Sequence, residues 1–248
     1  MPRIDVFLTE KEIYKSRERA KRALEMGLVK VNGNVITKPS FVVSEDDSIE
    51  ASDDPVPFVS RGALKIAGAF DVYDIDVKNS LCVDVGASTG GFTEFLLQRG
   101  AKKVLAVDVG HGQLDEKLAR DSRVINLEGT DIRSDELSEF YETADFAATD
   151  VSFISLRLVI PSVYKMLKEN GLAVFLVKPQ FEVGRKALDK RGVVKDKKLL
   201  AKVMPEMKKF AESMGFEILK ECESPITGGD GNLEFLLIAK KYIKKYNY

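Results

Sequence analysis

Val83-Asp84-Val85-Gly86-Ala87-Ser88-Thr89-Gly90-Gly91-Phe92, followed at Val104-Leu105-Ala106-Val107-Asp108 by a second apolar run that ends in an acid, decides the fold of this 248-residue chain. An apolar run closing in glycines, a helical pattern and a further apolar run form one β-turn-α-β unit of a doubly wound sheet. Gly86, Gly90 and Gly91 are expected to let the backbone approach a ligand where a Cβ would clash. Asp108, closing the second strand, can accept from both hydroxyls of a ribose. The stretch therefore predicts an adenosine-containing cofactor.

A nicotinamide-binding loop wants Gly-x-Gly-x-x-Gly, and Ser88 stands where the second glycine would admit a pyrophosphate. Asp84-x-Gly86-x-x-x-Gly90-Gly91 suits a ligand without phosphates, which points to S-adenosylmethionine. Its amino-acid end would cross the loop formed by Asp84, Gly86, Ser88, Gly90, Gly91 and Phe92. Asp108 would take the ribose, and Asp131, after the third strand, could accept from the adenine amino group.

Outward from this unit, strands are expected at Leu81–Val85, Val104–Val107, Val124–Leu127, Phe146–Thr149, Leu172–Val177, Glu217–Cys222 and Glu234–Ala239. Helical periods lie at Gly62–Tyr73, Phe92–Arg99, Leu156–Lys168 and Lys197–Met214. This alternation implies a mainly parallel sheet covered on both faces. The last two strands have only a loop between them and should pair antiparallel. The fold class is thus α/β, a Rossmann-like seven-stranded domain with the layout of S-adenosylmethionine-dependent methyltransferases.

Residues 1–55 read as a separate small α+β unit, 56–60 as a linker, and 61–248 as the large domain. Ile4, Val6, Phe7 and Leu8 begin a short helix, and Ser16 caps a second from Arg17 to Met26 that Gly27 stops. Val29–Val31 and Val35–Thr37 flank Asn32-Gly33, a type I′ hairpin signal. Phe41–Val43 and Ile49 suggest one or two further strands.

The formal net charge of −1 conceals a basic head, with nine Lys/Arg against five Asp/Glu from Met1 to Ser44. A basic head on a neutral body suggests a polyanionic partner. Arg3, Arg17, Arg19, Lys21, Arg22 and Lys38 on the head, with Arg61 beyond the linker, are candidate phosphate contacts. The basic, aromatic tail Lys240–Tyr248 could also touch RNA, although a frayed terminus explains it as well. No apolar run approaches the roughly 20 residues of a membrane helix. The first residues, Met1-Pro2-Arg3-Ile4-Asp5, hold no apolar signal region. A cytoplasmic protein is expected. Cys82 and Cys222 read as two thiols rather than a disulfide. The lone His111 argues against a histidine metal site or a Ser-His-Asp triad.

Four residues exceed what a generic fold needs: Lys65 on the first helix of the large domain, Asp150 after the fourth strand, Lys178 after the fifth and Glu234 opening the last. In a doubly wound sheet the ligand crevice lies beyond the carboxyl ends of the parallel strands, where Asp150 and Lys178 project; Glu234 opens a strand expected to run antiparallel, so its start lies at the same edge. Taken singly, Asp150 and Lys178 could be an ordinary ion pair, and Lys65 and Glu234 surface residues.

Lys, Asp, Lys and Glu in this order resemble the tetrad of ribose 2′-O-methyltransferases. The whole chain resembles the hemolysin A-like (TlyA) family of rRNA 2′-O-methyltransferases, which have an FtsJ-like domain. The resemblance rests on Val59–Gly62, Asp84–Thr93, Val107–Leu114, Asp150–Ser155, Lys178–Glu182 and Gly231–Glu234. Arg3-Ile4-Asp5, Ser16-Arg17, Ala20, Gly27-x-Val29-x-Val31-Asn32-Gly33 and Lys38-Pro39 resemble the S-four-type RNA-binding domain with its αL motif. Ala63 departs from the family, which often has a glycine there.

The resemblance implies methylation of a ribose, with cytidine as the nucleoside, in large-subunit rRNA; the small subunit stays open as a second target. The partner would be ribosomal RNA or a ribosomal subunit, with no metal. It also implies that Lys178 is the base or stabilises the alkoxide, held by Asp150 and Glu234 with Lys65 nearby. In an alternative, Lys178 acts as a cation on the forming oxyanion while Asp150 accepts the proton. Phe153 and Phe181 could stack on a flipped base or simply belong to the core. Competing readings are a non-catalytic RNA-binding assembly factor, a pore-forming hemolysin and a nicotinamide oxidoreductase.

Overall fold

The computed structural model describes residues 2–25, 27–44, 46–51, 58–228 and 231–242. The chain divides into two compact units, Met1–Pro57 and Phe58–Tyr248. The first part of the expected linker, at residues 56 and 57, lies outside the described residues, as do Met26 and the tail from residue 243.

The first unit contains α1 (Ile4–Glu10), α2 (Arg17–Glu25), β1 (Val29–Val31), β2 (Asn34–Val35) and β3 (Ile49–Ala51), with strand order β2-β1-β3. Its core gathers Ile4, Leu8, Tyr14, Ala20, Leu24, Val29 and Val43. Ser16 caps α2 by accepting from Arg19 N–H at 3.3 Å. At the other end Gly27, at φ +70°, donates to the Leu24 carbonyl while Leu28 donates to that of Ala23. Asn32 and Gly33 both have positive φ, 50° and 78°, as a type I′ turn requires. The strand expected at Phe41–Val43 is only an isolated bridge between Val42 and Arg3. Phe41 and Val42 are exposed, and Val43 is the residue of this segment that enters the core.

The second unit opens with α3 (Gly62–Val72) and continues through β4 (Leu81–Val85), α4 (Gly91–Gln98), β5 (Lys103–Asp108), α5 (Glu116–Ala119), β6 (Val124–Glu128) and β7 (Ala144–Thr149). It closes with α6 (Leu156–Met166), β8 (Leu167–Val177), α7 (Pro179–Glu182), α8 (Lys197–Ser213), β9 (Phe216–Glu223) and β10 (Phe235–Lys241). The seven strands run β6-β5-β4-β7-β8-β10-β9. β4 to β8 are parallel, and β10 is antiparallel to both its neighbours. Apolar side chains fill both faces. One core holds Val83, Leu105, Ile160, Phe175 and Met207; the other holds Ile66, Phe92, Leu96, Phe146 and Leu236. From β4 the chain winds outward to β6 and then returns to β7. The switch point between β4 and β7 therefore opens a crevice at their carboxyl ends.

The helix expected at Leu156–Lys168 stops two residues early, and Leu167 already pairs with Ala144. A tertiary contact accounts for this. The ammonium of Lys241, 2% exposed, donates to the carbonyls of Tyr164 at 3.0 Å and Leu167 at 2.7 Å, closing the end of α6. Both cysteines are free thiols, and burial pushes Cys82 up to about 12, leaving it inert.

Candidate active site

α3, β7, β8 and β10 each deliver one of the four expected residues to the same edge of the sheet. Asp150 follows β7 directly, its N–H donating to the Val85 carbonyl at 2.9 Å. Lys178 follows β8 and Glu234 precedes β10. The side chains form a chain of alternating charge. Lys178 Nζ lies 2.5 Å from Asp150 Oδ1, Lys65 Nζ 3.6 Å from Asp150 Oδ2, and Lys65 Nζ 2.8 Å from Glu234 Oε2. Lys178 also donates to Ser152 Oγ at 2.9 Å.

The four side chains are largely withdrawn from water, and Glu234 is only 2% exposed. A buried ion pair gains little stability over an apolar pair of equal volume. Asp150 Oδ1 and Glu234 Oε2 each face a lysine ammonium across a short ion pair. Four alternating charges gathered in a cleft suit a reacting site better than a structural strut.

Two clefts meet at this quartet. The first, about 270 Å³, is lined by Gly86, Ala87, Ser88, Thr89, Gly91 and Phe92 of the glycine loop, by Ser60, Arg61 and Gly62, and by Lys65, Asp150, Ser152 and Lys178. The second, about 620 Å³, shares Lys65, Ser152 and Lys178 and adds Glu234, Phe153, Phe181 and residues between Gly184 and Gly192. Phe153 is 93% exposed and adopts a left-handed φ of 64°, with its ring 5.4 Å from that of Phe181. Phe153 is thus an exposed aromatic in a sparsely populated backbone conformation at the rim of the second cleft.

The glycines also answer to contacts inside the protein. A Cβ on Gly86 would stand 2.6 Å from the Asp150 carbonyl oxygen, and Gly86 has φ +84°. A Cβ on Gly90 would strike Leu114 and Leu118, and one on Gly91 would strike Ser60 Oγ. Glycine is thus required by contact of the loop with its own protein. Gly86 and Gly91 still line the cleft, whereas Gly90 is buried behind it.

Asp84 is also placed behind the loop. It is fully buried, and its Oδ2 accepts from Thr93 N–H at 2.9 Å and Thr93 Oγ1–H at 2.7 Å, which fastens α4 to β4. Burial pushes its carboxyl up to about 7, against the lowering effect of Thr93. Asp108 shapes the rim, accepting from Ser88 N–H and Gly110 N–H, each at 2.8 Å. Asp131 is held by Arg133 at 2.6 Å, and that hydrogen-bonded guanidinium keeps its carboxyl below the usual range. Glu128, which sequence reasoning missed, accepts from Leu114 N–H at 3.0 Å and so fixes the loop after β5. Hydrogen bonds from Asn126, Gln113 and Leu114 hold it at about 2. Its only sequence signal was an acid at the end of a strand.

S-adenosylmethionine fits the residues present. A bed of backbone and small side chains runs from Gly86 to Gly91, with the Asp108 carboxylate behind Ser88 and the quartet at its other end. Those residues would hold it by backbone approach and by acceptors for ribose and amine.

In the first unit the expected phosphate contacts divide. Arg3 and Arg17 converge on Asp5, which is fully buried, with Arg3 Nε 2.9 Å from Oδ1 and Arg17 Nη2 3.0 Å from Oδ2. Burial opposes the effect, but the two guanidinium groups bring the Asp5 carboxyl below its ordinary value. Lys38 is exposed, Arg19, Lys21 and Arg22 are partly exposed on α2, and Arg61 lies in the second unit at the mouth of the first cleft.

Residues 58–241 match the FtsJ-like methyltransferase family and residues 2–49 match the S4 domain. A Bacillus subtilis protein, YqxC, provisionally assigned as an rRNA methyltransferase, is 43% identical over 95% of this chain and 84% of its own length. The 16S/23S rRNA (cytidine-2′-O)-methyltransferase TlyA of Mycobacterium tuberculosis is 38% identical over 95% and 88%. A solved structure from Streptococcus thermophilus, provisionally assigned as a hemolysin, superposes with a TM-score of 0.75 at 39% identity, covering 97% of this chain and 88% of that one. With its S4 domain, its seven-stranded sheet and these relatives, the chain belongs to the FtsJ-like methyltransferase family, among the TlyA and hemolysin A proteins.

Proposed function

We propose that this chain transfers a methyl group from S-adenosylmethionine to a ribose 2′-hydroxyl of ribosomal RNA, with cytidine as the target nucleoside. The observation that carries the reading is the Lys178-Asp150-Lys65-Glu234 charge chain beside the glycine-loop cleft. Cytidine is supported by the activity of the M. tuberculosis relative. The S4 unit would hold structured rRNA through its basic face, and ribosomal subunits or their rRNA would be the partner. Among the described residues no helix is long and apolar enough to cross a membrane. The cytoplasm, where ribosomes are made, is the compartment this reading predicts.

A ribose hydroxyl is a weak nucleophile, so its proton must leave as the new bond forms. When bound, S-adenosylmethionine supplies a methyl already activated on a sulfonium. Asp150, which lines the first cleft at the centre of the quartet, is the acceptor for the hydroxyl proton. The Lys178 ammonium, held between Asp150 and Ser152, stabilises the developing charge on oxygen. Lys65, anchored by Glu234, holds Asp150 from its other side. Phe153 and Phe181 form the wall against which the target base would rest.

The test is transfer of labelled methyl to separated ribosomal subunits and their naked rRNAs, with Lys178→Ala alongside. Label in one rRNA ribose, absent with the variant, is the expected result. Cofactor binding without transfer to any RNA would favour an assembly factor instead.

A further inference from the structure

The second unit carries a basic projection that the reading above leaves without a role. From Gly184 to Lys195 the chain places Arg185, Lys186, Lys190, Arg191 and Lys195 against one acid, Asp189, and all five cations are exposed. The tip is an ordered hairpin. Leu188 and Val194 bridge antiparallel, Asp189 N–H donates to the Val193 carbonyl at 3.0 Å, and Gly192 N–H donates to the Asp189 carbonyl at 3.0 Å. Lys190 and Arg191 hold the two central turn positions, and Gly192 follows at φ +77°, the form of a three-residue hairpin loop. The Asp189 carboxylate is engaged in holding the turn, accepting from Arg191 N–H at 2.8 Å and Val193 N–H at 3.0 Å, and it pairs with Lys195 at 2.9 Å. Lys190 and Arg191 are thereby presented outward at the tip.

Two observations tie this hairpin to the catalytic quartet. Arg185, Leu188, Asp189 and Gly192 line the 620 Å³ cleft together with Lys65, Lys178 and Glu234. Asn232, only 3% exposed, spans from the strand start to the hairpin. Its Oδ1 accepts from Val194 N–H at 3.2 Å, and its Nδ2 donates to the Gly192 carbonyl at 3.0 Å. A buried amide with both ends bonded to one loop is a fixed strut, and it stands two residues before Glu234.

We propose that the Leu188–Val194 hairpin is a phosphate clamp for the substrate RNA, with Asn232 the positioning residue that holds it over the catalytic cleft. The proposal rests on the rRNA-methyltransferase reading. Cations on a fixed loop tip neutralise phosphates and set the register of the strand without reading its sequence. That is what an enzyme needs when it must hold a backbone still while one nucleotide turns into its site.

Methyl transfer and filter binding to naked rRNA are measured with the full chain between about 50 and 200 mM salt. The variants are Lys190→Ala with Arg191→Ala, Asn232→Asp, and a remote control of Lys102→Ala with Lys103→Ala at the opposite end of β5. The tip variant should raise KM for RNA roughly tenfold, leave kcat and cofactor Kd within about twofold, and reduce the salt slope by about one per lost cation. Asn232→Asp should move KM and the slope the same way, and the control should move neither. Hairpin variants with wild-type KM and salt slope overturn the clamp. Asn232→Asp with reduced thermal stability but an unchanged slope overturns its positioning role. If the wild type binds rRNA but transfers no methyl, while the tip variant still weakens binding, the clamp stands and the methyltransferase reading falls.

Discussion

Replacing Asp84 by asparagine tests whether this carboxylate is a buried structural acid. It is fully buried, one oxygen serves both Thr93 donors, and the other has no partner. Burial raises its carboxyl from 3.8 to about 7. Between those values the unfolded chain has released the proton and the folded protein keeps it, so folding stability falls as pH rises. The group's contribution is complete below 3.8 and lost once pH passes about 7. At about 1.4 kcal/mol per pH unit, the interval corresponds to about 4 kcal/mol. The substituted amide would not titrate. Its oxygen still accepts from Thr93, while its NH₂ lacks a buried partner, a pH-independent cost of about 1–3 kcal/mol. Denaturant unfolding of both proteins from pH 4 to 8 gives a difference curve in which the other titrating groups cancel. That curve should rise in favour of Asp84→Asn by up to about 4 kcal/mol across the range. Parallel stability profiles would refute the argument.

Lys178→Ala should reduce methyl transfer by about 10²–10⁴-fold while calorimetry finds cofactor affinity retained; near-normal turnover would remove Lys178 from the mechanism. Gly86→Ala forces a Cβ to 2.6 Å from the Asp150 carbonyl oxygen at φ +84°, and thermal unfolding should report a loss of about 2–4 kcal/mol. Lys241→Met leaves the Tyr164 and Leu167 carbonyls without their donor, and chemical denaturation should show a loss of about 2–3 kcal/mol. Asp5→Asn should weaken rRNA binding by releasing Arg3 and Arg17; because the Asp5 carboxyl is lowered on folding, its stabilising contribution is present above 3.8 and lost as pH falls through the folded value. Unchanged rRNA affinity would show that those arginines do not need their clamp.

The sequence by itself determined the layers, the strand order's general form and the edge at which chemistry gathers. Those properties follow from local periodicity and turn residues, which act over a few positions: Asn32-Gly33 makes its turn, and Val83–Phe92 makes its strand, loop and helix. Asp150, Lys178 and Glu234 were legible because each stands at the end of a strand that a doubly wound topology sends to one edge, and Lys65 because the four in this order resemble the tetrad of ribose 2′-O-methyltransferases. Only tertiary structure decided what the glycines and acids around the loop do. Gly86, expected to give a ligand room, is also required by the Asp150 carbonyl; Asp84, expected at the ligand, is buried and secures α4 through Thr93. Asn232 reaching the hairpin and Lys241 ending α6 were likewise hidden, because their partners lie about 40 and more than 70 residues away. A hydrogen bond or a steric contact depends on distance in space, and pattern in the sequence reports that distance only within a single turn, helix or strand.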